Sequence, residues 1–314
     1  MMNAKKQKLF AIINPVAGSC DAETVKNELT QACNAAGRDF DCHFTSADED
    51  DNDIINIAQK ALSNGCGRIV VAGGDGTVAA VGSALIDSDY QLAILPVGTA
   101  NLLARELGIP LDLPVACQLA ASGENHRQLD AMRVGERVFL SHISLGVYSK
   151  IAERTSRTAK RYFRQVAYIW NALPELLSGH TWRFTLQVDE QEINVRASFI
   201  MVANVGELGA ADLRWGEDIS LDDGTIDICV VHARTLKEYL ILAWCVLQRR
   251  HVSSPKLSYY RATQRVRVTT KHKQVPVRGD GEIIGYSFVE ITLLPHAVKV
   301  ITPLEPTKAS LLPI

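Results

Sequence analysis

Three loops that contain glycine each follow a short apolar segment that predicts a β-strand. They are Asn14-Pro15-Val16-Ala17-Gly18-Ser19, Gly73-Gly74-Asp75-Gly76-Thr77 and Pro96-Val97-Gly98-Thr99-Ala100-Asn101. Glycine has no Cβ, so the backbone N–H groups of such loops can approach the oxygens of a phosphate group. A helix that starts directly after each loop adds its positive end to the same place. The three loops together therefore favour binding of a triphosphate.

Asp75 places a carboxylate among these anion-binding groups. Such a carboxylate has a role if it reaches a magnesium ion, a ribose hydroxyl or the hydroxyl that reacts. Taken singly, a Gly-Gly-Asp-Gly run is most often a tight turn, and Asn-Pro is a common start of a turn. Three such loops at corresponding strand ends are harder to explain in that way. Neither the Walker lysine loop nor a GxGxxG motif is present, which excludes the ordinary mononucleotide and dinucleotide fingerprints.

Two acidic turns lie in the second half of the chain, Asp222-Asp223-Gly224-Thr225-Ile226-Asp227 and Gly279-Asp280-Gly281-Glu282. Carboxylates in a turn supply the hard oxygen ligands that magnesium prefers. The first turn also fits a plain hairpin before the strand predicted at residues 226–231, and the residues alone favour that interpretation. The second turn equally fits a solvated hairpin tip.

The elements that must position these loops begin with alternating strands and helices. Segments 9–13, 40–45, 68–72 and 92–95 predict strands, and helical patterns near 22–36 and 54–62 lie between them. This βαβα order predicts a three-layer α/β domain with a parallel sheet over residues 1–128. All three loops would then lie at the carboxyl edge of that sheet, where ligands bind. We expect the tail 303–314 to pack back on this domain.

Strand-like segments predominate from about residue 127, and two helical insertions near 158–178 and 236–251 interrupt them. They predict a second, mainly antiparallel β-sandwich domain over residues 129–302, with a cleft between the two domains.

The composition excludes several classes of function. The 33 basic and 35 acidic residues nearly cancel, so no global positive field favours nucleic acid. The seven cysteines form no CxxC pair and no zinc spacing, and we expect reduced thiols in a cytoplasmic protein. The longest apolar run, residues 239–247, is about half of the roughly 20 residues that span a bilayer. Any contact with lipid is therefore expected at the inner surface of the membrane.

These loops resemble those of the soluble bacterial lipid kinases related to the diacylglycerol kinase catalytic domain. Sphingosine kinases are more distant relatives of that family, and its nucleotide-binding domain is NAD kinase-like. The likeness covers almost the whole chain and includes Ala104 and Arg105 after the third loop. It implies an ATP-dependent, magnesium-requiring kinase that phosphorylates a lipid. The ATP-binding residues that it implies are Asn14, Pro15, Gly18, Thr45, Gly73, Gly74, Asp75, Gly76, Thr77, Gly98, Thr99 and Asn101.

The resemblance also gives the acidic turns roles in the β-rich domain, which would hold the lipid and the metal. It implies that Asp223 binds the magnesium ion together with the backbone carbonyls of Ser220 and Thr225. In the Gly-Asp-Gly-Glu turn, an acid would accept the proton of the substrate hydroxyl. Asp280 is favoured for that role, and Glu282 is the alternative.

The chain departs from the family pattern in two places near the nucleotide. Ala79-Ala80 stands where the family commonly has Asn-Glu, and Leu102-Leu103 stands where it often has Asp-Phe. Two other functions therefore stay open beside the lipid kinase. One is a soluble-substrate kinase, because NAD kinases share the Gly-Gly-Asp-Gly-Thr loop, and the other is a nucleotide- or lipid-binding protein without catalysis.

Two helical segments could meet a membrane. One begins with a basic stretch that runs into apolar and aromatic residues, which suits an anionic membrane surface and equally suits a solvated helix packed on its domain. Its basic residues are Arg154, Arg157, Lys160, Arg161 and Arg164, and Trp170 closes the aromatic part. The other is the apolar segment 236–251, for which core packing is favoured. The acceptor lipid is not fixed by any short motif, and a homodimer stays open.

Overall fold

A computed structural model describes residues 8–304 except 19, 47, 147–178, 209–212, 217, 249, 251–253, 273 and 281. The chain forms two compact units, Met1–Ala131 with Pro295–Ile314, and Met132–Leu294. The sequence predicted a second domain over residues 129–302. The structure differs from this prediction mainly because residues 295–302 group with the first unit. They do so because Lys299 and Val300 pair with a strand of that unit. Of the tail 303–314, which is expected to pack back on this unit, residues 305–314 lie outside the described residues.

The first unit is built on a parallel sheet. Its strands are β1 (Leu9–Ile13), β2 (Phe40–Phe44), β3 (Arg68–Ala72) and β4 (Gln91–Leu95), in the order β2-β1-β3-β4. Ile13 lies opposite both Phe44 and Ala72, and Ala72 lies opposite Leu95. All four strands therefore end at the same level, as the predicted α/β domain requires.

Five helices accompany this sheet: α1 (Ala22–Ala36), α2 (Asp51–Ser63), α3 (Asp75–Ser83), α4 (Leu102–Glu106) and α5 (Leu113–Ser122). Asp21 caps the start of α1 by accepting a hydrogen bond from Thr24 N, and Gly37 ends it with φ 58°. Apolar side chains of α1, α5 and the strands form one core cluster. The apolar residues that recur at helical spacing in α1 are thus on the face that is buried on the sheet.

The second unit is an antiparallel sandwich, as predicted. The other strands of the described residues are β5 (His126–Val134), β6 (Arg137–Phe139), β7 (His142–Gly146), β8 (Trp182–Val188), β9 (Gln191–Ala197), β10 (Phe199–Ala203), β11 (Ile226–Val231), β12 (Leu257–Ala262), β13 (Arg265–Thr270), β14 (Pro276–Gly279), β15 (Glu282–Tyr286) and β16 (Phe288–Ile301). One sheet of the sandwich has the order β12-β11-β10-β7-β14-β15, and the other contains β9-β8-β13 and the first part of β16. Within the first sheet, Ile200 and Val202 pack into the core shared with the second sheet, whereas Phe199 and Met201 pack on the opposite side.

Helix α6 (Leu236–Leu247) follows strand β11. Thr235 caps its start, and Glu238 completes a capping box. Leu242 is buried in the outer cluster of the sheet, with Tyr239 packed against it. The expectation of core packing is therefore correct for one side of this helix and wrong for the other, which is exposed. The basic segment around residues 154–170 lies outside the described residues. None of the described helices is long and apolar enough to cross a bilayer.

Candidate functional site

The ends of the four parallel strands bring the three glycine loops together. Asn14 follows β1, and its backbone N–H donates to the Ala72 carbonyl at the end of β3 at 2.8 Å. Its side-chain Nδ2 donates to Thr77 Oγ1 at 3.1 Å, which joins the first loop to the second. The equal ends of the strands make this contact local in space although the two residues are far apart in sequence.

Gly18 and Gly98 let the backbones of the loops approach closely. Gly18 has φ 65°, and a Cβ at this position would lie 1.7 Å from the Val97 carbonyl oxygen of the third loop. A Cβ on Gly98 would lie 2.6 Å from Gly74 Cα in the second loop. Since any side chain at these two positions would separate the loops, glycine there is a requirement of the packing.

Helix α3 begins inside the second loop with Gly74 as its N-cap, and no side chain caps it. The backbone at Gly74 is extended, with φ −83° and ψ 176°. A Cβ built on Gly74 would meet nothing within 4 Å, so space is open beside this helix start. The first N–H groups of a helix have no partner inside the helix and carry its positive end. This end of α3 is therefore suited to a phosphate group.

Asp75 and Asn101 hold the loops in place. Asp75 Oδ1 accepts a hydrogen bond from Leu103 N at 3.3 Å, which connects the second loop to the start of α4. Asn101 has φ 51°, and its Nδ2 donates to the carbonyls of Pro96 at 2.9 Å and Gly98 at 3.1 Å. Both side chains thus have positioning contacts that the sequence motif did not reveal.

The remaining predicted nucleotide residues differ in exposure. Thr99 and Pro15 are exposed at the surface, Gly73 is buried, and Gly76 and Thr77 are partly buried. Thr45 is 6% exposed and donates its N–H to the Ile13 carbonyl at 2.9 Å.

The two departures from the family pattern lie in the core. Ala79 and Ala80 are buried in α3, and Leu102 and Leu103 are buried in α4. In this chain these four positions therefore stabilise the packing behind the loops, where polar side chains would need buried partners.

A histidine and a glutamate that contact each other at the end of the second strand were not predicted. His43 Nε2 lies 3.0 Å from Glu49 Oε1, and Glu49 Oε2 accepts a hydrogen bond from Ser46 N. The bond to His43 lowers the pKa of the Glu49 carboxyl. The two side chains are six residues apart across a loop, a spacing with no recognisable pattern, so nothing in the sequence singles them out.

In the second unit, the carboxyl group of Asp280 is held by backbone. Its Oδ1 accepts hydrogen bonds from the N–H groups of Ser141 at 3.3 Å and His142 at 3.2 Å, and its Oδ2 accepts one from Leu140 at 3.2 Å. The residue keeps some surface in solvent, but its carboxyl group is surrounded by protein. This burial raises the pKa of Asp280 to about 6, although the backbone hydrogen bonds act in the opposite direction.

The turn around Asp280 is tightly packed on one side and open on the other. Asp280 has φ 44°, and a Cβ on Gly279 would lie 2.4 Å from a ring carbon of Phe139. Glu282, two residues further on, is 57% exposed at its side chain and pairs with Arg137 Nη2 at 3.2 Å. The two acids of the motif therefore lie in very different surroundings.

The predicted metal turn is a compact polar loop. Asp223 Oδ1 accepts hydrogen bonds from Thr225 N at 3.0 Å and Thr225 Oγ1 at 2.7 Å, and Ser220 Oγ donates to Asp222 Oδ1 at 2.9 Å. No group of three or more His, Cys, Asp or Glu side chains that could hold a metal occurs in the described part of the chain. The backbone carbonyls of Ser220 and Thr225, which the resemblance implies as ligands, lie in this loop.

Asp227 is the last residue of this acidic segment, and no role was predicted for it from the sequence. It is 5% exposed, and its Oδ1 accepts a hydrogen bond from Arg261 Nε at 3.0 Å. Burial raises the pKa of Asp227, and Arg261 opposes that shift. Within the described residues, Asp227 Oδ2 is buried without a hydrogen-bond partner. An orphaned carboxylate oxygen, together with the hard oxygens of the turn, fits a magnesium ion.

Comparisons with known proteins cover nearly the whole chain. The family model of the diacylglycerol kinase catalytic domain matches residues 8–134, and that of the YegS C-terminal NAD kinase beta sandwich-like domain matches residues 141–302. A diacylglycerol kinase of Bacillus subtilis is 27% identical over 300 residues, which cover 94% of this chain and 96% of that protein. A probable lipid kinase YegS-like protein of Pseudomonas aeruginosa is 29% identical over 198 residues, 62% of this chain and 64% of that one.

The fold also matches a solved structure. The crystal structure of a diacylglycerol kinase from Bacillus anthracis superposes with a TM-score of 0.76 at 23% identity, over 96% of this chain and 99% of that one. At this identity the match shows the fold alone.

Proposed function

The chain belongs to the family that joins a diacylglycerol kinase catalytic domain to a YegS C-terminal NAD kinase beta sandwich-like domain, and from this premise we propose that it transfers the γ-phosphoryl group of ATP to a primary hydroxyl of a diacylglycerol-like lipid. Membership in this family supports kinase activity. The acceptor and the residue roles are the proposed part.

The open start of α3 carries this proposal. Gly18 and Gly98 allow the three loops to close around Gly74, where the start of α3 has no side-chain cap and faces open space. Phosphoryl transfer requires mainly positioning and neutralisation of phosphate charge, because the protein contributes little covalent chemistry. Loops held by backbone contacts and by Asp75 and Asn101 supply that positioning.

We assign different roles to the two acids of the Gly-Asp-Gly-Glu turn. Asp280, favoured as the base by the sequence, already accepts three backbone hydrogen bonds that fix the turn. Glu282 is exposed, and Arg137 orients it, so its carboxylate can reach a substrate hydroxyl. These surroundings support Glu282 as the proton acceptor and Asp280 as the positioning residue.

Magnesium would be held by Asp223 and the carbonyls of Ser220 and Thr225, with Asp227 Oδ2 close in sequence. When bound, such an ion neutralises phosphate charge. The chain's own residues orient the nucleotide and accept the proton.

The acceptor is tested by incubating the protein with labelled ATP and either diacylglycerol in mixed micelles or NAD. We expect label in the lipid fraction alone. Label in NADP with none in lipid would replace the proposal with a soluble-substrate kinase. ATP binding without label in any lipid of a total-lipid extract would indicate a binding protein without catalysis.

The roles of Asp280 and Glu282 are distinguished by a matched pair of variants. We expect Glu282→Gln to lower turnover by at least about a hundredfold while leaving the thermal unfolding temperature unchanged, since a general base contributes roughly 10²- to 10⁴-fold. Asp280→Asn, in contrast, is expected to change both the turnover and the thermal unfolding temperature. Full turnover in Glu282→Gln would return the role of base to Asp280.

A further inference from the structure

Helix α6 carries a row of exposed apolar side chains. Leu240, Ile241, Trp244 and Leu247 are 62%, 49%, 61% and 59% exposed, and we refer to these four residues as the α6 face. Single exposed apolar residues are ordinary on a protein surface, but a contiguous patch of this kind marks an interaction site. The α6 face is therefore a candidate docking surface.

Helix geometry places these side chains on one side. At 3.6 residues per turn, Leu240, Trp244 and Leu247 fall within an arc of about 60°, and Ile241 lies at its flank. Leu242 is on the opposite side, buried against the sheet with Tyr239. The helix thus has one side that packs on its own unit and one apolar side that does not.

The charges around the α6 face are positive. Lys237 is exposed and falls on the same side of the helix, while Arg234 and Arg250 are exposed just before and after it. The one acidic residue of the helix, Glu238, pairs with Lys256 at 2.7 Å. An apolar face with exposed Trp and a basic border has the composition of a helix that lies in the interface of an anionic membrane.

We propose that α6 is a membrane-docking helix, which lies flat on an anionic bilayer with the α6 face in the acyl boundary and Lys237, Arg234 and Arg250 at the lipid phosphates. This proposal rests on the proposed function, since a kinase that acts on a lipid must reach its acceptor at the bilayer surface. Trp244 fits the interface because its ring is apolar and its N–H can bond to water or headgroups.

Two other occupants fit the charges less well. A second copy of the chain docked through the same face would bring the positive charges of Lys237 and Arg250 on the two copies close together, and like charges repel. The segment 147–178 of this chain, which lies outside the described residues, contains Arg154, Arg157, Lys160, Arg161 and Arg164, so it would also bring positive charge to a positive border. An anionic lipid surface is the complementary partner.

The test is co-sedimentation of the full-length protein with phosphatidylcholine vesicles that do or do not contain phosphatidylglycerol. The variants are Trp244→Gln with Leu247→Gln, and separately Leu240→Gln, which keep the charge unchanged. Leu111→Gln is the matched control, since Leu111 is 43% exposed in the other unit. Thermal unfolding of every variant verifies that it is folded.

We expect the double variant to bind vesicles at least about tenfold more weakly than the wild type, because each large apolar side chain contributes through the area that it buries. Leu111→Gln should bind as the wild type does. Lys237→Gln with Arg250→Gln should weaken binding only to vesicles with phosphatidylglycerol, and added salt should have the same effect. Unchanged vesicle binding in the double variant and in Leu240→Gln would overturn the proposal.

The other occupants give different results in the same experiment. A wild-type dimer that becomes monomeric in Leu240→Gln by light scattering, with unchanged vesicle binding, would make the α6 face a contact between copies. Loss of folding in the double variant, together with unchanged vesicle binding in Leu240→Gln, would indicate a face covered by the chain itself.

Failure of the docking proposal is distinguishable from failure of the proposed function. Vesicle binding requires no turnover, so it is measured even if no lipid is phosphorylated. If docking alone is lost, the double variant should phosphorylate a short-chain diacylglycerol dissolved as monomers at the wild-type rate and lose activity only on vesicles.

Discussion

A single methyl group added at Gly74 should weaken nucleotide binding and leave the stability of the fold nearly unchanged. Gly74 is extended, with φ −83°, and a Cβ there meets nothing within 4 Å. Replacement by alanine removes flexibility from the unfolded chain, which stabilises by roughly 0.4–1 kcal/mol. Alanine is a poorer N-cap than glycine by a similar amount. We therefore expect the free energy of unfolding of Gly74→Ala to stay within about 1 kcal/mol of the wild type.

The same methyl group would occupy the space in which a phosphate approaches the first turn of α3. A hydrogen bond to a charged group contributes roughly 1.5–3 kcal/mol, so the loss of one such bond weakens ATP binding by at least about tenfold. Calorimetric titration of ATP gives the affinity, and circular dichroism on heating gives the stability of the same sample.

Gly98→Ala is the matched comparison because its Cβ would lie 2.6 Å from Gly74 Cα. Carbon atoms in contact are about 3.5–4.0 Å apart, so the two loops must separate by about 1 Å. Overpacking of this kind costs roughly 1–3 kcal/mol. Gly98→Ala should thus lose both stability and ATP affinity. If Gly74→Ala binds ATP as tightly as the wild type, the open space beside α3 is not the phosphate site.

Three further predictions concern the second unit. Gly279→Ala should destabilise the folded protein by roughly 1–3 kcal/mol, because its Cβ would lie 2.4 Å from the Phe139 ring. Adding Phe139→Leu to this variant should restore part of the lost free energy of unfolding, measured in urea. No restoration would mean that the clash is not the cause. Because the pKa of Asp280 is raised to about 6 from the 3.8 of its exposed form, its neutral form favours the folded state. The wild type should therefore gain up to about 3 kcal/mol over Asp280→Asn as the pH falls from 7 to about 4, and parallel pH profiles would contradict this. Arg261→Met should destabilise the folded protein by roughly 1–3 kcal/mol at neutral pH, and by less at low pH, where the Asp227 carboxyl is protonated and needs no cation. An equal loss of stability at both pH values would show that packing, not charge, is responsible.

The sequence predicted the elements with a strong local signal. Strands β1 and β3 have the predicted bounds, and α1 lies between the predicted cap Asp21 and the predicted stop Gly37. The start of α2 was placed three residues late, because its capping box at Asp50 and Asp53 precedes the apolar periodicity. Helix α5 was not predicted, since its alanine-rich segment has little periodic contrast, although Asp112 and Pro114 mark its start.

The candidate site was predicted at the level of loops and not of contacts. The carboxyl ends of parallel strands meet at one edge, so the meeting of the loops follows from the βαβα order alone. The hydrogen bonds of Asn14 to Thr77, Asp75 to Leu103, and Asp280 to residues 140–142 join positions that no spacing rule connects. The exposure of the α6 face could not be predicted either, because the helix is apolar on nearly all sides and its sequence does not show that only the side with Leu242 packs on the sheet.

Strand β16 has a consequence for how the protein is made. Lys299 and Val300 pair with β4 in the parallel sheet of the first unit, and Asn125 Nδ2 donates to Thr302 Oγ1 at 2.8 Å. During synthesis, the ribosome must therefore add residues 295–302 before the glycine loops rest on a complete sheet. The sheet of the first unit therefore stays incomplete while the ribosome translates the second unit. During that time β4 lies at the edge of the sheet without its neighbour β16. An exposed edge strand is a site for wrong pairing, so chaperones that bind nascent chains have the longest opportunity to act at β4.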